Sequence, residues 1–539
     1  MPLRSRTYPL HRWFSVYRTI VYQYIRPSTV ATFTTLIQRQ RANREIAMLL
    51  LIAERSNGTL EDISEEELYR YTRNRWIHNE SVQLSERYLK FDLQQLLKAA
   101  VIAVSSEGAR YCTRVLKCRE GLNNKAYLLT MDNGSEVFAK LPNPIAGSAY
   151  YTTASEVATR EFLRDVLNIP TPQYILEEKA PGKPLGSLWY QWPMKFKLEM
   201  ISQIVEIERQ LTSTKFVKSG CIYFRDDIPE DMSSDNAIIT SVPLHSSVLE
   251  RVMATNEMRF IKTHARICMN YHRSSTEPEL PEEVLDLLNR YLQLAPAMVP
   301  PLGAGDTHSP TLWHPDLHLD NQITRIIDWQ SAAVMPFLYQ CGVPRMFLHP
   351  VSVADGWALS ELLEDYDSLD QSEKAKIDSD RKSETYHKYY EAETKSKNPR
   401  HWAALRLENP DVRTEPSRLT VNVWEGRDVF FLRRALMSIV EQWQDLRPES
   451  ALCPVSFNEQ ELALHAAEEE SMSNVSEILR PFRENWGLPP NGMVDPTEFD
   501  QIRTAVAELR NSFIGMLMMR RKGNSSQGYG RTRMRTAKK

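Results

Sequence analysis

Apolar and polar residues alternate with a period that changes several times along the chain, and each change predicts a different element. Residues 60–100 read as helical, since EDISEEELYRYTRNRW and SVQLSERYLKFDLQQLLKAA begin acidic and carry apolar residues at helical spacing. The period then drops to two. KAYLLTM and EVFAKL alternate on either side of Asp132-Asn133-Gly134, a strand–turn–strand signature. Residues 152–167 return to the helical period, with Ala158, Phe162, Leu163, Val166 and Leu167 as the apolar stripe. IPTPQ breaks the chain, YILEEKA predicts a short strand, and APGKPLG a turn. Beyond Trp189 helices dominate, over 195–211, 248–269, 282–294, around 360–394 and around 427–443. The pattern predicts an α+β protein, a small mixed α/β lobe followed by a large, mainly helical one.

A chain of 539 residues exceeds one small core and suggests about two to four domain-sized units. Its six cysteines form no CxxC pair and no metal-type spacing, which fits a reducing compartment. No apolar run reaches the ~18 residues of a membrane span, and a net charge of −3 gives no reason to expect a nucleic-acid partner. The ends depart from this average. Residues 1–44 hold eight arginines and no lysine, aspartate or glutamate, the composition of a mitochondrial transit peptide. Residues 1–60 are therefore expected to be transit peptide and linker. No acid follows Glu508, and 516–539 is expected to be a basic disordered tail.

The candidate chemistry lies in Trp313-His314-Pro315-Asp316-Leu317-His318-Leu319-Asp320-Asn321, followed by Ile326-Ile327-Asp328-Trp329. Pro315 disfavours a helix, so these polar side chains belong to an irregular loop. An aspartate, an asparagine five residues later and an aspartate ending an apolar strand are the parts of a kinase-type site. One carboxylate accepts a proton from the attacking hydroxyl, while hard oxygen donors hold Mg2+ against the phosphates. A zinc site is disfavoured because the loop lacks HExxH and a helix to present it. Trp313, Trp329 and the apolar run 332–338 read as core.

The loop resembles that of the aminoglycoside phosphotransferase and choline kinase-like superfamily. Across roughly residues 60–515, EELYRYTRNRWIHNE, EGLNNKAYLLTMDNGSEVFAKLPNP, TTASEVATREFLR, EKAPGKPLG, LWHPDLHLDN, IIDWQSAAVMPF and HKYYE resemble the fungal altered inheritance of mitochondria protein 9 group. The resemblance implies a protein-kinase-like two-lobed fold, with an N-lobe over 61–180 and a C-lobe over 181–515. It implies ATP and Mg2+ as cofactors and an unidentified small-molecule acceptor. Asp316 would be the base, His314 would buttress the loop, and Asn321 and Asp328 would hold the metal. Lys140 would contact the nucleotide phosphates beside a loop formed by Glu120, Gly121, Leu122, Asn123 and Asn124, and Glu178 and Ala180 would lie at the hinge. Helical phase puts Glu156 at the edge of its apolar stripe and Glu161 opposite, so Glu156 is the expected partner of Lys140; a capping box at Thr153-Ala154-Ser155-Glu156 is the competing role. Two segments are short for the family, one between Asn321 and Asp328 and one between Pro172 and Glu177. They support a second expectation: a weakly active or inactive kinase-like scaffold in mitochondria.

Overall fold

The computed structural model describes residues 49–146, 149–171, 176–178, 189, 191–217, 219–224, 227, 237–240, 281–300, 306–314, 326–351, 353–354, 356–362, 365–422, 429–449, 452–486 and 492–524. The helix expected over 248–269, the arginine-rich segment 1–44 and the tail beyond 524 lie outside them. In chain order the elements are β1 (Leu50–Glu54), β2 (Leu60–Asp62), α1 (Glu65–Tyr69), β3 (Arg75–Trp76), α2 (Glu80–Glu86), α3 (Leu93–Ala103), β4 (Cys112–Lys117), β5 (Asn124–Met131) and β6 (Glu136–Pro142). Then come α4 (Ala149–Asp165), β7 (Leu176–Glu178), α5 (Met194–Ser213), β8 (Cys221–Phe224), β9 (Ala237–Thr240), α6 (Pro281–Met298), β10 (Pro310–Leu312) and β11 (Val334–Pro336). The chain continues through α7 (Gln371–Lys397), α8 (Pro399–Leu405), α9 (Pro410–Asn422), α10 (Val429–Glu441), α11 (Trp443–Leu446), α12 (Glu459–Trp486), β12 (Met493–Val494) and α13 (Phe499–Asn524). This is the expected α+β class, strand-rich early and helical later.

The chain divides into two compact units, Met1–Ala149 with Met472–Lys539, and Tyr150–Ser471. In the first, strands run in the order β2-β1-β4-β5-β6, with β1 parallel to β4 and the other neighbours antiparallel. The predicted hairpin is present: Gly134 takes φ 86° and Met131 N donates to Ser135 O at 2.9 Å. Val137, Ala139 and Leu141 of β6 are buried, which puts Lys140 on the opposite face, in register with Ala126.

Three expectations change here. The linker expected to reach residue 60 already contains β1, whose Ile52 and Ala53 are buried. Residues 60–100 are helical only in part, because β2 and β3 interrupt them and α1 stops at Tyr69. Buried donors from the sheet take the carbonyls at the end of α1: Lys117 Nζ bonds Glu67 O at 2.8 Å and Arg70 O at 2.6 Å, and Lys125 Nζ bonds Arg70 O at 2.9 Å. Tyr127 Oη adds Leu68 O at 2.7 Å. Such end carbonyls otherwise lack intrahelical partners. Finally, the expected C-lobe over 181–515 loses its last part to this unit. β12 pairs with β3, Phe499 and Ile502 pack on Ile77, and the Arg75 guanidinium lies 3.5 Å from the Phe499 ring centre.

In the second unit, Ala158, Phe162, Leu163 and Leu167 share a core with Leu211, Phe216, Leu312, Trp313, Ile326 and Trp329. Hence α4, which the expected boundary at residue 180 put with the strands, belongs to the helical unit. Val166 is exposed instead, since the helix ends at Asp165 and Asn168 turns the chain at φ 55°. Helices α6, α9, α10 and α11 enclose a second core around Leu288, Tyr291, Leu432 and Leu436. The helix expected around 360–394 begins only at Gln371, where Asp370 and Glu373 form a reciprocal capping box. Ser360 is held outside it by the Glu384 carboxylate, which accepts its backbone N–H at 3.0 Å.

Candidate active site

Strand β10 pairs antiparallel with β11 and delivers Trp313 and His314. Trp313, Trp329, Ala332, Val334, Phe337 and Leu338 are all buried, as the core assignment of these residues required. Residues 315–325 lie outside the described residues, and with them Asp316, Asn321, His318 and Asp320. Their two flanks are described, and the chain ties them together. His314 Nε2 donates to Ile327 O at 3.0 Å, across thirteen residues. Its ring, only 5% exposed, stands edge-on to Trp329 at 4.5 Å. Trp329 Nε1 in turn donates to Ile326 O at 3.1 Å, and Ile326 N donates to Pro170 O at 2.8 Å. The clamp places Asp328 one residue beyond the His314 contact. Asp328 is exposed and adopts φ 65°. Left-handed backbone at a residue other than glycine costs of order 1 kcal/mol, and such strain concentrates at functional sites.

The residues expected on the nucleotide side are distributed over several elements. Lys140 occupies the half-exposed face of β6. Glu156 sits on α4, 7% exposed, with Arg160 Nη1 3.8 Å from its Oε1. Because α4 starts at Ala149, Thr153 lies inside the helix, which removes the capping-box role proposed for Thr153 and Glu156. Glu178 lies in β7, and Ala180 falls outside the described residues.

The loop at 120–124 is anchored at both ends. Glu120 is buried, its Oε1 accepting from Lys125 Nζ at 2.6 Å and its Oε2 from Thr72 N at 2.7 Å. Lys117 Nζ lies 3.4 Å from the same carboxylate, and burial lowers both lysines, Lys117 to about 8. At the other end, Asn143 N donates to Asn123 O at 2.8 Å and Asn143 Nδ2 to Leu122 O at 3.3 Å. Among the described residues a Cβ on Gly121 would meet only Asn124 O, at 3.8 Å, so their packing does not demand glycine there. Asn124 Oδ1 is buried and has no hydrogen-bond partner among the described residues.

A buried polar network behind Trp313 was not foreseen. Glu208 of α5 is 2% exposed and accepts from Tyr390 Oη at 2.7 Å, while His401 Nδ1 lies 3.7 Å from its Oε2. Burial pushes the Glu208 acid up to about 8 and His401 down to about 4. The signal was available in the periodicity, since Ile201, Ile204, Val205, Glu208 and Leu211 form one buried stripe of α5. The expected metal donors, the Asp328 carboxylate and the Asn321 amide oxygen, are hard oxygens whose chemistry fits Mg2+. Among the described residues no three His, Cys, Asp or Glu side chains gather into a metal site.

No family model matches the chain. A subtelomeric hrmA-associated cluster protein of Aspergillus fumigatus is 28% identical over 482 residues, covering 74% of this chain and 93% of that protein. The mitochondrial altered inheritance of mitochondria protein 9 of Yarrowia lipolytica is 20% identical over 533 residues, covering 81% of this chain and 88% of that one. The chain is similar to the altered inheritance of mitochondria protein 9 group. The Candida tropicalis member of the group, also designated mitochondrial, is 28% identical over 200 residues, covering 32% of this chain and 30% of its own. The resemblance read from the motifs therefore holds, and the mitochondrial designation of these relatives agrees with the location expected from residues 1–44. Among solved structures, a macrolide 2'-phosphotransferase type I aligns at 9% identity and TM-score 0.28, over 64% of this chain and 97% of that one.

Proposed function

We propose that this chain is a mitochondrial kinase-like phosphotransferase that moves a phosphoryl group from ATP to a hydroxyl of a small molecule. The observation that carries this reading is the His314–Ile327 clamp. It holds the first residue of HPDLHLDN against the residue before Asp328, which supports one site built from both parts of the motif. Asp316 would accept the proton of the acceptor hydroxyl, and Asn321 and Asp328 would hold Mg2+. When bound, the ion neutralises charge on the phosphate oxygens. Lys140 would contact the phosphates. The nucleotide would approach the backbone at Gly121, where among the described residues a Cβ would meet only Asn124 O, at 3.8 Å. QSAAVMPF follows Asp328 and Trp329, which leaves no recognisable protein-substrate segment and favours a small acceptor.

The second reading is a scaffold with little or no catalysis. It is favoured by the single glycine of the phosphate loop and the short span between Asn321 and Asp328. Turnover separates the two. Asp316→Asn should abolish phosphoryl transfer, or MgATP hydrolysis in the absence of acceptor, while nucleotide binding stays within about twofold of wild type. Full turnover in Asp316→Asn removes the proposed mechanism.

A further inference from the structure

The segment that launches the candidate loop is held from behind by two adjacent residues of α8. Arg400 is largely buried and spends its fork on the approach to β10. Its Nε donates to Asp306 O at 3.1 Å, and Nη2 donates to Ser309 O at 3.1 Å and Thr311 Oγ1 at 2.6 Å. Its Nη1 reaches Thr212 O of α5 at 2.9 Å, and the guanidinium lies 5.0 Å from the Phe337 ring centre. His401 is fully buried, and its ring stands edge-on to Trp313 at 4.9 Å. His401 Nε2 donates to Cys341 O at 2.8 Å. A carbonyl only accepts, so Nε2 carries the proton and Nδ1 faces Glu208.

We propose that Arg400 and His401 are positioning residues for the transfer site. The inference rests on the function proposed above. Arg400 fixes the backbone of 306–311, His401 fixes the Trp313 ring, and together they set where His314 and the loop after it begin. Packing alone accounts poorly for this choice of residues. Arg400 Nε also lies 3.3 Å from the Asp306 carboxylate, and because a buried ion pair is weak evidence for stability, we read this charge as serving placement of the segment. The acceptors of Arg400 also concentrate on one short segment, which a general core role would not require. Glu208 and Tyr390 complete the support. Burial keeps both Glu208 and His401 uncharged near neutral pH, so the imidazole keeps a single donor, aimed at Cys341.

A shift of about 1 Å in a catalytic constellation can cost roughly 100-fold in rate. The test uses the full chain and four variants, His401→Phe, His401→Gln, Arg400→Gln and Arg400→Lys. Amide hydrogen exchange is compared at 307–314 and 326–338 with exchange at 429–441, and MgATP turnover is measured alongside. His401→Phe and Arg400→Gln should accelerate exchange in the first two segments and leave 429–441 unchanged. They should lower kcat about 10- to 100-fold with the KM for MgATP within about twofold. His401→Gln keeps an N–H for the Cys341 carbonyl and should recover most of both losses, whereas Arg400→Lys keeps charge without the fork and should recover little. Should His401→Phe not fold, the Arg400 pair carries the comparison. Acceleration spread equally over 429–441, or none in the two segments, overturns the proposal. A wild-type chain that never binds MgATP removes the proposed function instead, and the exchange pattern still decides whether these residues position the segment.

Discussion

Glu208→Gln should change how stability depends on pH while leaving the fold intact, because glutamine is the isostere of the un-ionised acid. Glu208 lies fully buried, and its pKa is pushed up from 4.5 to about 8. The unfolded chain releases this proton near 4.5 and the folded chain keeps it to about 8, so the contribution of Glu208 is lost as pH rises between those values. His401 has the opposite sign. Burial takes it from 6.5 down to about 4, so its contribution is lost as pH falls from 6.5 to about 4. Between 4.5 and 6.5 the two slopes oppose each other. From 6.5 to about 8 Glu208 acts alone, and at about 1.36 kcal/mol per pH unit the fall is about 2 kcal/mol. Eight of the eleven tryptophans lie between Tyr150 and Ser471, so tryptophan fluorescence during urea unfolding reports on the unit that holds Glu208. Wild type should lose stability from pH 6.5 to 8, and Glu208→Gln should stay flat over that range. An identical fall in the variant, or no fall in wild type, would refute the buried-acid argument.

Glu120→Ala leaves the buried ammonium groups of Lys117 and Lys125 without their carboxylate, and should destabilise the sheet unit by about 3–5 kcal/mol in denaturant unfolding. Asp370→Ala removes the cap of α7 and should cost about 0.5–2 kcal/mol by the same measurement, with Asp370→Asn largely retaining it. A fluorescent reporter fused to residues 1–44 should enter mitochondria, and a reporter that stays cytosolic removes the targeting assignment.

Local pattern made the hairpin around Gly134, helices α5 and α6 and the buried faces of α4 and of the 332–338 run legible, because each is decided by residues close in sequence. Long-range bonds decided what was missed. Helix α1 ends where Lys117, Lys125 and Tyr127 reach its carbonyls from strands some fifty residues away, and no periodicity announces that. The assignment of β12 and Phe499 to the sheet unit likewise depends on pairing with Arg75 and Trp76. At the candidate site, His314 and Asp328 could be named from the motif. Arg400 could not, because its role lies in acceptors on residues 306–311, which nothing in its own neighbourhood points to.

The proposed function requires that the chain bind nucleotide through a Mg2+ site that includes Asp328. Calorimetric titration of the full chain with ATP, with and without Mg2+, tests it directly. Binding should be saturable, require Mg2+ and weaken at least about tenfold in Asp328→Ala, which would lose a direct metal ligand. Absence of binding in wild type, or equal affinity in wild type and Asp328→Ala, would contradict it.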